Sequence, residues 1–555
     1  MTRRLTLFFC LSIALAQAQP PVFQPGEHQA DAPKYWVLLR GKDQTSKPAL
    51  SPQSLAQRTH RQLSLDETDQ PVSPVYINQL KQIGIRPICQ SRWLNAVSAR
   101  LTTDQYRQVL ALPFVASVHA IDPAIVITSL AIQAPEVDST PKSPEGDLAH
   151  SQTKSPSGDL GVKGLAGAIT PHVAPVMTQI QGLEFAQAGL TGRFVNIGVI
   201  DAGFFGADSA NALKHVFSRQ GVKQIRDYVN AKKTRDNLLR TLETMNDFHG
   251  TEVFAAIAGN DPVENIQFGL ATDATFYLAR TDRGNREYRG EEDNWVAAVE
   301  WMDSLGVRLI NTSLGYAKGM SNPKENYEPS QMDGHTSLIS RAAQIASDKK
   351  GMLIIVSAGN EGDDRSWRII STPADAQGVL AIGATNARLW NRIGYSSIGP
   401  ENLPYLKPNV SCFSLYGTSL AAPVITGFAA CIMQANPKLT NKQVMEIIEK
   451  SSHLYPYGNN YVGYGVPQAS RALALLRNQE LPLTAHSVKA NGKTLTLSVD
   501  TTEPIVSVFH KKDALHVLQQ ETLKVNGGKL TLKRENGEKQ TTVDLKKEVI
   551  EIVWE

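Results

Sequence analysis

The pattern of apolar and polar positions divides the chain into unlike stretches. Between Tyr35 and about Pro123, YWVLLRG alternates like a strand and SPQSLAQRTHRQL reads as a helix. TDQYRQVLALPFVASVHAI then reads as a helix followed by a strand, so residues 19–123 are expected to hold a small α+β domain. Over 124–174 the pattern gives way to Ser, Pro, Gly and Asp, and KSPEGDL at 142–148 recurs as KSPSGDL at 154–160. Such a composition cannot bury a core and predicts an exposed, cleavable linker.

Residues 175–476 carry short, unbroken apolar runs. FVNIGVI, TFYLART, VRLINTSL, MLIIVSA and GVLAIGA are buried-strand candidates. EEDNWVAAVEWMDSLG and HTSLISRAAQIASDKKG are among the helical stretches that follow or separate them. This alternation predicts an α/β fold, a mainly parallel sheet with helices on both faces. Functional groups should then gather beyond the carboxyl ends of the strands. In 477–555 strand-like alternation returns in KTLTLSVD, IVSVFHK, KLTLKREN and EVIEIVWE, with Asn-Gly turns at Asn491, Asn526 and Asn536. A small β domain built from hairpins is expected. Its ANGKTL has Ser487 in place of the first glycine of a phosphate loop, which argues against nucleotide binding.

The first residues add a destination. MTRR is a basic start, LTLFFCLSIALA an apolar run, and AQA ending at Ala18 a small-x-small cleavage site. Residues 1–18 therefore read as a signal peptide, and the chain is expected to be secreted, to the medium, the periplasm or the cell surface. The run is shorter than the roughly 20 residues that cross a bilayer, and no other stretch is expected to cross one, so no transmembrane anchor is foreseen. Cleavage would remove Cys10 and leave Cys89, Cys412 and Cys431, an odd number with no metal-ligand spacing. Lys plus Arg (56) nearly balances Asp plus Glu (53), which gives no support to a nucleic-acid partner.

Four polar residues stand at the ends of buried runs. Asp201 is the first charge after VNIGVI, His249 opens a helix in DFHGTEVFAAIAG, Asn360 closes MLIIVSAGN, and Ser419 lies in LYGTSLAAPVITG. Each alone is an ordinary turn or cap residue. Together they supply the parts of a nucleophilic site. A serine hydroxyl needs a base to take its proton, and histidine is the suitable one. An aspartate on the other ring nitrogen fixes the tautomer and stabilises the imidazolium. The Asn360 amide and the Ser419 backbone N–H are candidate oxyanion donors. Pro423 falls in the first turn of the following helix, where a missing N–H matters least.

The order Asp, His, Asn, Ser and the text around it, DAG, HGT, AGN and GTSLAAP, resemble the subtilisin-like serine proteases. The resemblance implies an endopeptidase working through an acyl-enzyme, with residues 175–476 as catalytic domain and 19–123 as an inhibitory propeptide. It implies that NTSLG (311–315) pairs with an extended protein or peptide substrate. Ser313, Leu314 and Gly315 would then form one wall of the specificity pocket, and Ser357, Ala358 and Gly359 the other. GYGVPQASRAL (463–473) is similar to the closing segment. The chemistry implied needs no cofactor, and no ligand spacing marks a structural calcium, which stays open.

Two departures stand out. Ala202 occupies the place of a supporting Thr or Ser, and only SCFSLY separates KPNV (407–410) from GTS. A different class of function, a protease-derived binding or adhesion protein using the C-terminal β domain, is disfavoured by the intact set of four groups. An esterase of the α/β-hydrolase type would show Gly-x-Ser-x-Gly and the order Ser, Asp, His, and neither is present. With an unperturbed imidazole, hydrolysis should rise near pH 6–7.

Overall fold

Alternate residues of each central strand enter opposite cores. Ile197 and Val199 face one core and Ile200 the other, and Leu353 and Ile355 are divided from Ile354 and Val356 in the same way. Burial on both faces is why these segments read as unbroken apolar runs. The computed structural model describes residues 32–42, 46–122, 175–230, 235–240, 242–284, 287–482 and 484–555. The leader and the Ser/Pro/Gly-rich stretch with its repeat lie outside the described residues.

Seven strands form the central sheet, in the order Val410–Phe413, Leu380–Thr385, Leu353–Ser357, Leu309–Thr312, Asn196–Asp201, Thr275–Arg280, Val222–Asp227. Every neighbouring pair is parallel. Helices His249–Ala258 and Ala422–Ala435 pack in one core, Glu292–Ser304 and Leu338–Lys350 in the other. The two edge strands have no counterpart in the sequence reading. Only Val222 of VKQIRD is fully buried, so its apolar signal is weak, and VSCF is four residues long.

Residues 34–122 carry a four-stranded antiparallel sheet, ordered Cys89–Ser91, Ala96–Arg100, Lys34–Leu39, Val115–Asp122. One face, with Tyr35 and Val37, packs on this unit's own helices. From the other, Trp36, Trp93 and Ile121 merge with the core of the central sheet around Trp295 and Trp301. A buried ionic seam borders that contact. Lys34 Nζ lies 2.6 Å from Asp293, Arg92 Nη2 2.6 Å from Asp303, and Arg58 Nη2 within 2.9 Å of both oxygens of Asp303. Lys350 reaches back to Asp69 at 2.8 Å.

The C-terminal unit is a five-stranded sheet, Ala485–Ala490, Val549–Trp554, Gln540–Asp544, Ile505–Lys511, Val517–Lys524, with a two-stranded ladder of Thr494–Ser498 and Lys529–Lys533. The hairpin expectation needs correction here. Asn491, Asn526 and Asn536 do precede glycines with positive φ, but their flanking strands do not pair with each other. These turns carry the chain between the two sheets. Two hairpins are present among the described residues of this unit, Ile505–Lys511 with Val517–Lys524 and Gln540–Asp544 with Val549–Trp554, and they turn through KDALH and LKKE instead.

Candidate active site

Asp201 ends its strand fully buried, and His249 begins the helix His249–Ala258 well downstream, beyond the edge strand Val222–Asp227. Gly250 makes their approach feasible. A Cβ there would lie 2.1 Å from the Gly203 carbonyl and 2.9 Å from Asp201 Cβ. His249 Nδ1 lies 2.7 Å from Asp201 Oδ1, which also accepts the Ala202 N–H at 2.8 Å. Asp201 Oδ2 is buried without a hydrogen-bond partner, beside the position where Ala202 offers no hydroxyl. The Asp201 carboxylate raises the imidazole pKa to about 9, against the opposing effect of burial.

Both residues are fastened by Arg280, whose strand position is in register with Asp201. Its Nε donates to the Ala202 carbonyl at 2.9 Å. Nη2 lies 3.2 Å from both Glu243 and Asp247, and Nη1 3.5 Å from Asp227. Asp247 in turn accepts the N–H groups of Glu243 and Thr244, capping the turn that runs into His249. One buried cation thus anchors the segments that carry Asp201 and His249. The sequence does not reveal this, because its partners are scattered along the chain.

Ser419 sits in a 3₁₀ turn, Thr418–Leu420, leading into the helix Ala422–Ala435 with Pro423 in its first turn. Gly417 enters the turn at φ +102°, a conformation that disfavours any side chain. The Thr418 N–H and hydroxyl both donate to Asn360 Oδ1, at 2.9 and 3.0 Å. That fixes the orientation of the Asn360 amide and leaves its NH₂ group as the cleft-side donor. Ser419 Oγ points to the Ser313 carbonyl at 3.3 Å, and Ser313 Oγ donates to the Ser419 carbonyl at 2.8 Å. Serine–histidine hydrogen bonds are commonly loose in unliganded sites.

His249, Ser419 and Asn360 line one cleft together with Ser313, Leu314, Gly315, Ser357 and Gly359. Ala358 does not. Its side chain is buried in the core, because the strand end turns it inward. Asp282, Glu287, Tyr316, Glu361 and Ser371 also line the cleft, and sequence reasoning missed them. Tyr316 donates to Asp282 at 2.8 Å, and burial pushes that carboxyl up to about 8. Only the adjacency of Asp282 to a strand end could have suggested it.

A family model described as the subtilase family matches residues 192–465, and one described as the peptidase S8 propeptide domain of Bacteroidota matches 34–134. The chain belongs to the subtilase family. It is a serine endopeptidase that carries its own propeptide domain. Subtilisin DY of Bacillus licheniformis is 29% identical to this subtilase over 268 residues, 46% of this chain and 82% of that protein. Subtilisin E of Bacillus subtilis (strain 168) is 28% identical over 302 residues, 52% of this chain and 68% of that one. Among solved structures, the CspB protease of Clostridium perfringens aligns over 55% of this chain and 99% of its own, at 15% identity and a TM-score of 0.45.

The SCFSLY segment of this subtilase is a strand end followed by a tight turn. Tyr395 Oη donates to the Ser414 carbonyl at 2.7 Å, and Ser414 Oγ to the Gly417 carbonyl at 2.6 Å. Tyr416 is 83% exposed. Cys412 is fully buried against Ala421 and its thiol pKa is raised by burial, so it faces the core and not the cleft. Cys89 and Cys431 are likewise buried and unbridged. Thr418–Ala435 is, by length and composition, apolar enough to cross a membrane, which the sequence reading had not foreseen. It is 78% buried inside the catalytic domain, as a core helix would be. Among the described residues no group of three or more His, Cys, Asp or Glu could hold a metal ion.

Proposed function

We propose that this endopeptidase cleaves peptide bonds through Ser419 as nucleophile, His249 as general base and Asp201 as the acid that orients it. The observation that carries the reading is the 2.7 Å His249–Asp201 bond at the edge of a cleft shared with Ser419 and Asn360. His249 Nε2 takes the Ser419 proton as Oγ attacks the scissile carbonyl, then returns it to the leaving amine. The Asn360 NH₂ group and the Ser419 backbone N–H receive the oxyanion. Water then releases the acyl group by the same steps in reverse order. No cofactor enters this chemistry. Ser313–Gly315 and Ser357–Gly359 flank the cleft, which suits backbone pairing with an extended peptide.

The pattern of the first eighteen residues supports export, and the ion-paired contact of residues 34–122 with the catalytic unit supports a precursor held inactive by its propeptide. The test is expression of the precursor beside its Ser419→Ala variant, following chain length and labelling by a fluorophosphonate. The wild type should shorten and label, and the variant should do neither. A wild type that stays full length and unlabelled overturns the reading.

A further inference from the structure

The C-terminal β unit is joined to the catalytic domain along one continuous line of hydrogen bonds that ends at the cleft. On the hairpin Ile505–Lys511/Val517–Lys524, Gln520 clasps the backbone of Arg392. Its Oε1 accepts the Arg392 N–H at 2.9 Å and its Nε2 donates to the Arg392 carbonyl at 3.1 Å. Ser507 Oγ on the partner strand donates to the Leu389 carbonyl at 2.9 Å. Arg392 Nη1 in turn holds the carbonyls of Gly394 and Ser396.

From this loop two arms reach the site. In one, the Ser397 N–H donates to the Gly359 carbonyl, Ser397 Oγ bonds the Glu361 N–H and Oε2, and the Gly362 N–H meets the Tyr395 carbonyl at 2.7 Å. Glu361 Oε2 also accepts the N–H of Asn360 at 2.8 Å. In the other, Tyr395 holds Ser414, and Ser414 holds Gly417, two residues before Ser419. Below the clasp, Phe509, Val517 and Val549 bury against Leu454, Tyr461 and Val462, and the Asn460 N–H donates to the Leu515 carbonyl. That apolar contact keeps the hairpin from sliding.

We propose that the C-terminal β unit is a brace that positions the oxyanion donor Asn360 and the lead-in to Ser419 through the 389–398 loop. Gln520, Ser507 and Arg392 are positioning residues in this scheme, since none touches substrate. The assignment rests on the reading of Ser419 and Asn360 above. A carbonyl or donor misplaced by a fraction of an ångström weakens transition-state binding more than substrate binding, so the brace should act on kcat.

The experiment is a double-mutant cycle in the mature enzyme processed from the full chain, with Gln520→Ala and Asn360→Ala singly and together. Rates are taken per site titrated by a fluorophosphonate, well below each variant's melting temperature. Gln520→Ala should lower kcat by about 2- to 30-fold with KM nearly unchanged, the range over which remote couplings act. In the Asn360→Ala background the same substitution should cost less, because one of its two targets is gone and only the arm through Ser414 to Gly417 remains. An equal loss in both backgrounds, or a change confined to KM or to the fraction of active sites, overturns the brace. If Asn360→Ala itself leaves kcat unchanged, it is the active-site reading that fails. Should Gln520→Ala not fold, Ser507→Ala is put through the same cycle. Lys489→Ala, at an exposed pair with Glu555 remote from the clasp, should leave kcat as it is.

Discussion

At His249 the bond to Asp201 fixes a protonation state as well as a direction. The carboxylate holds the imidazole pKa at about 9, and a protonated ring cannot accept the serine proton. Hydrolysis should therefore climb through pH values near 9, a correction to the pH 6–7 expected of an unperturbed histidine. A pH profile of kcat/KM checks this, and a plateau reached by pH 7 would contradict it. The orphaned Asp201 Oδ2 suggests a second substitution. Ala202→Ser would supply a donor to a buried oxygen whose unsatisfied state costs about 1–3 kcal/mol. It should raise the melting temperature and lower the pH midpoint, because a better-satisfied carboxylate pulls less on the imidazole. Asn360→Ala should lower kcat by roughly 10²–10³ while KM changes little. These residues were legible in the sequence because each is a polar break at one end of an apolar run, Asp201 and Asn360 closing theirs and His249 opening its own. Asp282 and Glu361 were not, since their importance comes from what faces them across the cleft.

Strand and helix ends carry the next level of consequence. Arg280 is buried against Asp227 and Asp247, so Arg280→Met leaves charges without a counterion, a loss of about 3–5 kcal/mol. Urea unfolding should show it, with Arg280→Lys falling between the variant and the wild type. On the helix Glu292–Ser304, Asp293, Glu300 and Asp303 face the propeptide unit, and Asp303 receives both Arg58 and Arg92. Asp303→Asn leaves two arginines poorly matched at that contact. The cleaved propeptide should dissociate sooner, seen as earlier onset of peptide hydrolysis after processing. A delayed onset would contradict this role for the seam. The five central strands and the two long helices named above were readable because both faces are covered. The edge strand Val222–Asp227 was not, because solvent lies along much of it.

Among the described residues, two apolar clusters join units that the pattern of the sequence keeps apart, one around Trp36 and Trp295 and the other around Leu454 and Phe509. Alternation revealed that the C-terminal segment is β, but not how its strands pair. Asn-Gly turns ordinarily announce neighbours in one sheet, and here they lead from one sheet to another. Pairing was therefore hidden in contacts between distant residues, as was the docking of Gln520 on Arg392.

That docking has a consequence in time. Gln520 is made about a hundred residues after Ser419, so a ribosome presents that serine before it presents the clasp. A nascent chain with its brace still unmade would carry the reactive groups without their final alignment. Translation order would thus add a delay to the restraint expected of the propeptide, and the protease would gain full activity only once Gln520 had been built and docked.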